Sequence, residues 1–121
     1  MSKKILVMED DEQMCSMLRQ VLENAGYTVI DAPDGKVGMR LYRENDVDLV
    51  ITDIIMPEKE GIETIRELKQ ENPDVKIIAI SGGGIINPED YLQIAERLGV
   101  QRTFAKPFDN EEILGAVNEL I

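Results

Sequence analysis

The chain has 121 residues, of which 43% are hydrophobic, and this is enough for one folded domain with a single core. Its formal net charge of -11 argues against a nucleic-acid-binding surface, which needs clustered lysine and arginine. The sequence contains no histidine, so it excludes histidine-based catalysis, histidine-led metal sites and a phosphohistidine carried by this chain.

The cysteine content and the amino terminus indicate the cellular compartment of the protein. The only cysteine, Cys15, permits no internal disulfide, which fits a reducing cytoplasm. The first apolar run ends at Met8, which is too short for a signal peptide, and no stretch approaches a membrane span. We therefore expect a cytoplasmic protein that binds neither membranes nor nucleic acid directly, with one domain over residues 1–121.

The first strand-and-helix unit begins with the segment Lys4–Met8, in which every residue after Lys4 is apolar, and this predicts a buried strand. Four carboxylates follow at residues 9–12, and their mutual repulsion indicates a cationic group nearby. Apolar residues then recur with helical spacing up to Gly26, a typical helix end: Met14, Met17, Leu18, Val21 and Leu22. Cys15 lies beside this stripe and is expected to be a half-buried apolar residue.

Two further units follow. A short strand at 28–32 leads through the turn 33–35 into a helix with Val37 and Leu41 on one side. The run Leu49–Ile51 predicts a strand buried on both faces, which places Asp53 at its carboxyl end, before Pro57 and Gly61. A third helix is expected to turn apolar residues toward the sheet and to end before Pro73: Ile62, Ile65 and Leu68.

The last two units complete a repeating pattern. A strand at 76–81 ends in the glycine run 82–84, and a helix is expected from Asn87, its N-cap, to Leu98. A short strand at 102–105 leads to Lys106, and Asp109 with Glu112 forms a capping-box pattern for the final helix. Five such units predict an α/β fold, a doubly wound parallel sheet, because each right-handed crossover needs a helix.

Polar residues stand where four of these strands end: Glu9, Asp10, Asp53, Ser81 and Lys106. In an open parallel sheet the carboxyl ends of the strands meet at one edge, where ligands bind. Oxygen ligands without histidine or cysteine suit Mg²⁺, and Asp10 and Asp53 are candidates to bind it. Asp53 would then attack phosphorus, with Lys106 and Ser81 holding phosphoryl oxygens. Alternatively, Lys106 only pairs with the acids as a structural salt bridge, and Ser81 is only a turn residue.

These segments resemble the bacterial response regulator receiver domain, including its stand-alone, chemotaxis-regulator-like members. The resemblance rests on residues 5–12, on Asp53-Ile54-Ile55-Met56-Pro57, on Ser81 and on Lys106-Pro107-Phe108. It implies a flavodoxin-like (βα)5 sheet with strand order 2-1-3-4-5. It also implies a phosphorelay role, in which Asp53 accepts a phosphoryl group from a histidine kinase or a histidine phosphotransfer protein and thereby changes the surface that binds a downstream protein.

The resemblance also implies roles for single residues. Asp10 would bind Mg²⁺ directly, Glu9 would bind it through water, and the backbone carbonyl of Ile55 would complete the protein ligands. Ser81 would be the switch hydroxyl, and the Gly82 backbone N–H would contact the phosphoryl group together with Lys106. The family often has an aromatic switch residue at the position of Thr103. Phe104, the neighbouring residue, should face the other side of the sheet.

Other functions remain open at this point. An aspartyl phosphatase of the haloacid dehalogenase type needs a second aspartate where this chain has Ile55. A receiver-like interaction module without phosphorylation would not require the whole set of polar residues, and the acidic first turn disfavours a flavin. We expect no enzymatic activity beyond the domain's own phosphorylation and dephosphorylation. The glycine run 82–84 predicts a mobile segment from Gly82 to Asn87. The domain either acts alone or belongs to a longer protein.

Overall fold

The computed structural model describes residues 3–54, 61–81, 93 and 96–121. Five parallel strands form one sheet in the order β2-β1-β3-β4-β5, as predicted. The strands are β1 (Lys4–Met8), β2 (Thr28–Ala32), β3 (Leu49–Asp53), β4 (Ile77–Ser81) and β5 (Arg102–Ala105). The helices in the described part of the chain are α1 (Glu12–Asn24), α2 (Gly35–Glu44), α3 (Gly61–Glu71) and a last helix (Asn110–Leu120). The helix predicted at 87–98 falls largely outside the described residues.

The sheet is covered on both faces. Alternate residues of the central strands point to opposite sides, and in the described part of the chain two helices pack on each side. One face packs on α2 and α3 through Met39, Ile65 and Leu68. The other packs on α1 and the last helix through residues that include Leu18, Leu22, Ile113 and Val117. The predicted doubly wound, flavodoxin-like architecture is therefore confirmed.

Both ends of α1 are fixed by residues with typical helix-terminating roles. The Asp11 carboxylate accepts hydrogen bonds from the backbone N–H groups of Gln13 at 3.0 Å and Met14 at 3.3 Å, which caps the helix directly after the acidic segment. At the other end, Gly26 has a φ of 98°, a left-handed conformation that favours glycine. Among the described residues, no helix has the length and apolar character needed to cross a membrane.

Candidate functional site

The carboxyl ends of β1, β3, β4 and β5 place five predicted residues at one edge of the sheet: Glu9, Asp10, Asp53, Ser81 and Lys106. The hydrogen-bonded pairing of β4 and β5 extends one residue beyond the end of β5: the Lys106 backbone N–H donates to the Ser81 carbonyl at 2.8 Å. The sheet register therefore brings the ends of non-consecutive strands together, as the sequence predicted.

Lys106 joins two of the carboxylates directly. Its ammonium group donates to Glu9 Oε1 at 2.7 Å and to Asp53 Oδ2 at 2.8 Å. The lysine side chain is 19% exposed, and the carboxylate side chains are only 3% and 5% exposed. The cation expected near the acidic segment is thus Lys106, and the three groups form a largely buried ionic cluster.

The cluster shifts the protonation of two of its members. Burial raises the pKa of Glu9 from 4.5 to about 8; the adjoining Asp53 carboxylate adds to this, whereas Lys106 opposes it. For Lys106, burial lowers the pKa, but the hydrogen bonds to Asp53 and Glu9 outweigh it, so the pKa rises overall. Glu9 therefore holds its proton to a higher pH than an exposed glutamate does, and Lys106 stays charged beside Asp53.

The acidic side chains also satisfy the requirements of a hard divalent cation. Carboxylate oxygens of Glu9, Asp10 and Asp53 lie within 4.8 Å of one another. Asp10 is exposed, which opens the cluster to solvent, while Glu9 Oε2 is buried and lacks a hydrogen-bond partner among the described residues. Oxygen donors at this spacing fit Mg²⁺, which binds one or two carboxylates and keeps several waters.

Ser81 is the last residue of β4 and is fully buried. Its backbone carbonyl accepts from Lys106, but its hydroxyl has no hydrogen-bond partner within the described part of the chain. Buried hydroxyls are normally paired, so an unpaired one at a strand end is a candidate for a group that acts on a ligand. This favours the predicted role over that of a turn residue.

We expect Ser81→Ala to leave the free energy of unfolding unchanged or to raise it by up to about 1 kcal/mol, because the substitution removes a buried polar group that has no partner among the described residues. Urea unfolding of the unphosphorylated protein measures this effect. A loss of stability above about 1 kcal/mol would mean that the hydroxyl makes a stabilising hydrogen bond after all.

Thr103 lies in β5 opposite Ala79 and is half-buried. Its hydroxyl donates to Glu96 Oε1 at 3.3 Å. Phe104 packs with the core beside α1 and the last helix, where its ring centre lies 6.0 Å from that of Phe108. The prediction that Phe104 faces the other side of the sheet is confirmed. No aromatic residue of β5 faces the side on which Thr103 lies.

Some predictions fall outside the described residues. These concern the Ile55 carbonyl, the Gly82 backbone N–H and the mobility of the segment from Gly82 to Asn87. Cys15 is partly buried, and its pKa is raised to about 11, chiefly by burial, which agrees with its expected apolar role.

Sequence reasoning missed a close backbone contact behind Asp53. Gly61 begins α3 and donates its backbone N–H to the Ile54 carbonyl at 2.7 Å. A Cβ atom at Gly61 would lie 2.3 Å from the Asp53 carbonyl oxygen. The sequence showed only that a glycine follows Asp53 and Pro57, and the close approach of α3 to the end of β3 could not be found from the sequence.

A groove of about 370 Å³ lies at the opposite edge of the sheet, near the start of the strands. Lys3, Asp48 and Lys76 are among the residues that line it, and none of the predicted site residues does. The chemistry suggested by the sequence is therefore concentrated at the carboxyl edge.

Comparison with known proteins shows the family to which the chain belongs. The sequence model of the response regulator receiver domain family matches residues 5–118. The chemotaxis protein CheY of Halobacterium salinarum is 31% identical over 100% of this chain and 98% of its own length. CheY of Thermotoga maritima is 32% identical over 99% and 98%, respectively.

Longer proteins and a solved structure extend the comparison. The transcriptional regulatory protein CpxR of Klebsiella pneumoniae is 30% identical over 98% of this chain, but the chain spans only 49% of that regulator. The crystal structure of a response regulator receiver domain protein from Clostridium thermocellum superposes with a TM-score of 0.90 and 30% identity, covering 98% of this chain and 94% of that one. Fold, site geometry and sequence therefore agree that the chain belongs to the response regulator receiver domain family.

Proposed function

We propose that Asp53 of this receiver domain accepts a phosphoryl group from the phosphohistidine of a histidine kinase or histidine phosphotransfer protein, in a reaction that depends on Mg²⁺. The observation that carries the proposal is the buried Asp53 carboxylate, which Lys106 contacts at 2.8 Å beside two further acids. An Asp53 oxygen forms a bond to phosphorus while the bond between phosphorus and the donor's nitrogen breaks.

The other residues of the edge support this transfer by position and charge. Lys106 binds an oxygen of the incoming group, and the Ser81 hydroxyl, which has no partner among the described residues, donates to another. The Gly82 backbone N–H would be a further donor. Asp10 and Asp53 would hold Mg²⁺ directly, with the Ile55 carbonyl as a further ligand and Glu9 acting through water. The metal would supply positive charge that offsets the repulsion between the acids and the phosphoryl group.

The output is a change of binding surface. Phosphorylation draws the Ser81 hydroxyl toward the phosphoryl group. This shifts an existing equilibrium between two conformations of the surface around β5 and the helix predicted at 87–98. Thr103, with its hydrogen bond to Glu96, occupies the switch position on this side of β5. A downstream protein partner in the cytoplasm senses the change, and the domain has no enzymatic activity beyond its own phosphorylation and dephosphorylation.

Intact-protein mass spectrometry after incubation with acetyl phosphate tests the proposal. We expect a gain of one phosphate that requires Mg²⁺ and is abolished by excess EDTA. Asp53→Ala should prevent the gain, and Asp31→Ala, which removes an exposed carboxylate on β2, should not. If the wild-type protein gains no phosphate from acetyl phosphate or from a panel of kinases, and does not bind beryllofluoride, the interaction-module alternative is correct.

A further inference from the structure

The backbone around Asp53 is fixed from three directions. The Thr52 hydroxyl donates to the Asp53 carbonyl at 2.9 Å, and the Ile54 N–H donates to the Ile80 carbonyl of β4 at 2.9 Å. The Gly61 N–H donates to the Ile54 carbonyl at 2.7 Å. The end of β3 that carries the phosphoacceptor is therefore set by its own strand, by the neighbouring strand and by the start of α3.

The contact with α3 depends on the absence of a side chain at Gly61. An added Cβ would lie 2.3 Å from the Asp53 carbonyl oxygen, 2.5 Å from Ile54 Cα and 2.8 Å from the Ile54 carbonyl oxygen. These are backbone atoms, which cannot rotate away as a flexible side chain can. The Asp53 oxygen would have to move by roughly 0.7 Å to reach 3.0 Å, the shortest separation that real Cβ atoms normally show.

The helix cannot easily move instead. Ile65 and Leu68 of α3 are fully buried against the sheet, and Arg43 of α2 pairs with Glu67 at 2.8 Å and with Glu71 at 2.6 Å. A displacement of α3 would disturb this packing, which protein interiors resist. A side chain at Gly61 would therefore shift the end of β3 relative to Lys106 and the acids.

We infer that Gly61 is a positioning residue for phosphoryl transfer: its missing side chain lets α3 abut the Asp53–Ile54 backbone and holds the Asp53 carboxylate in the reactive arrangement. The inference rests on the proposed function of Asp53. A displacement of the attacking oxygen by a fraction of an ångström lowers the rate of transfer, because positioning supplies much of the rate enhancement in such reactions.

The test compares phosphorylation rates of Gly61→Ala and the wild-type protein with acetyl phosphate at saturating Mg²⁺, under conditions where circular dichroism shows both to be folded. We expect the rate per folded molecule to fall by on the order of 10- to 100-fold in Gly61→Ala. Gly115→Ala in the last helix, where an added Cβ meets nothing within 4 Å, should retain the wild-type rate. Ile65→Val, which loosens the packing of the same helix without a new contact at Asp53, should lower the melting temperature but keep the rate.

The outcomes separate the inference from the function on which it rests. Equal rates for Gly61→Ala and the wild-type protein would overturn the positioning role and leave the proposed function intact. If the wild-type protein takes up no phosphate from acetyl phosphate or from a panel of kinases, and does not bind beryllofluoride, both fail. If Gly61→Ala does not fold in buffer, both proteins are measured in trimethylamine N-oxide, which favours the folded state, and the same comparison decides.

Discussion

Replacing Lys106 with methionine is expected to lower the free energy of unfolding by about 3–5 kcal/mol in metal-free protein at neutral pH, the usual cost of removing one partner from a buried ion pair. Methionine keeps much of the side-chain volume but removes the charge that lies 2.8 Å from Asp53 and 2.7 Å from Glu9. The Asp53 carboxylate, 5% exposed, then loses the lysine's compensating charge. Urea unfolding in EDTA measures the loss, and Lys36→Met, on the exposed surface of α2, is the matched control.

The size of the Lys106→Met effect should depend on pH. In the wild-type protein the pKa of Glu9 is about 8, and Lys106 is one of the groups that lower it. Without the lysine this pKa rises further, so folded Lys106→Met keeps the Glu9 proton above pH 8 while the unfolded chain has lost it. The variant's stability then continues to fall with pH where that of the wild type has levelled off. A difference in stability that stays constant from pH 6 to pH 9.5 would contradict this coupling.

Magnesium should recover part of the loss in Lys106→Met. A divalent cation bound by the acids supplies positive charge near the position that the ammonium group vacates, and it stabilises the folded state by binding to it. The stabilisation by a saturating concentration of Mg²⁺ should therefore be larger for Lys106→Met than for Lys36→Met. Equal stabilisation would mean that the lysine and the metal do not share the same carboxylates.

The fold was predictable from the sequence because its signals are local and repeated. The runs Ile5–Met8 and Leu49–Ile51 are apolar throughout, as strands buried on both faces must be, and each is followed by a segment with helical spacing. Asp53 and Lys106 could be placed at one edge without any tertiary information. Parallel strands in a doubly wound sheet bring all their carboxyl ends to the same side.

The energetics of the site could not be predicted in this way. A sequence gives the order of Glu9, Asp53 and Lys106 along the chain but not their burial, and burial is the main cause of the raised pKa of Glu9. The contact between Gly61 and the Asp53 carbonyl likewise depends on where the start of α3 lies relative to the end of β3, which the sequence does not give. The unpaired Ser81 hydroxyl is visible only when its neighbours are known.

Glu9 itself provides the second large effect. Its pKa is about 8 in the folded protein and near 4.5 in the unfolded chain, so between these values the folded state holds one more proton than the unfolded state. The contribution of Glu9 to stability is therefore fully present below pH 4.5 and is lost as the pH rises to 8, by at most about 1.4 kcal/mol per pH unit. Glu9→Gln, which is neutral at every pH, should lack this slope.

Urea unfolding in EDTA between pH 5 and pH 9 compares the two proteins. We expect the smallest difference near pH 5, where a protonated Glu9 in the folded protein resembles glutamine, and an increasing advantage for Glu9→Gln up to about pH 8. Parallel profiles would show that Glu9 titrates normally.

The same proton governs metal binding. If Glu9 must ionise to take part in the Mg²⁺ site, the Mg²⁺ affinity of the wild-type protein rises with pH up to about 8, whereas that of Glu9→Gln does not follow this rise. Glu9 then links the proton, the metal and Lys106 beside Asp53, the carboxylate that we propose is phosphorylated, because each of the three offsets negative charge in the same buried acidic cluster.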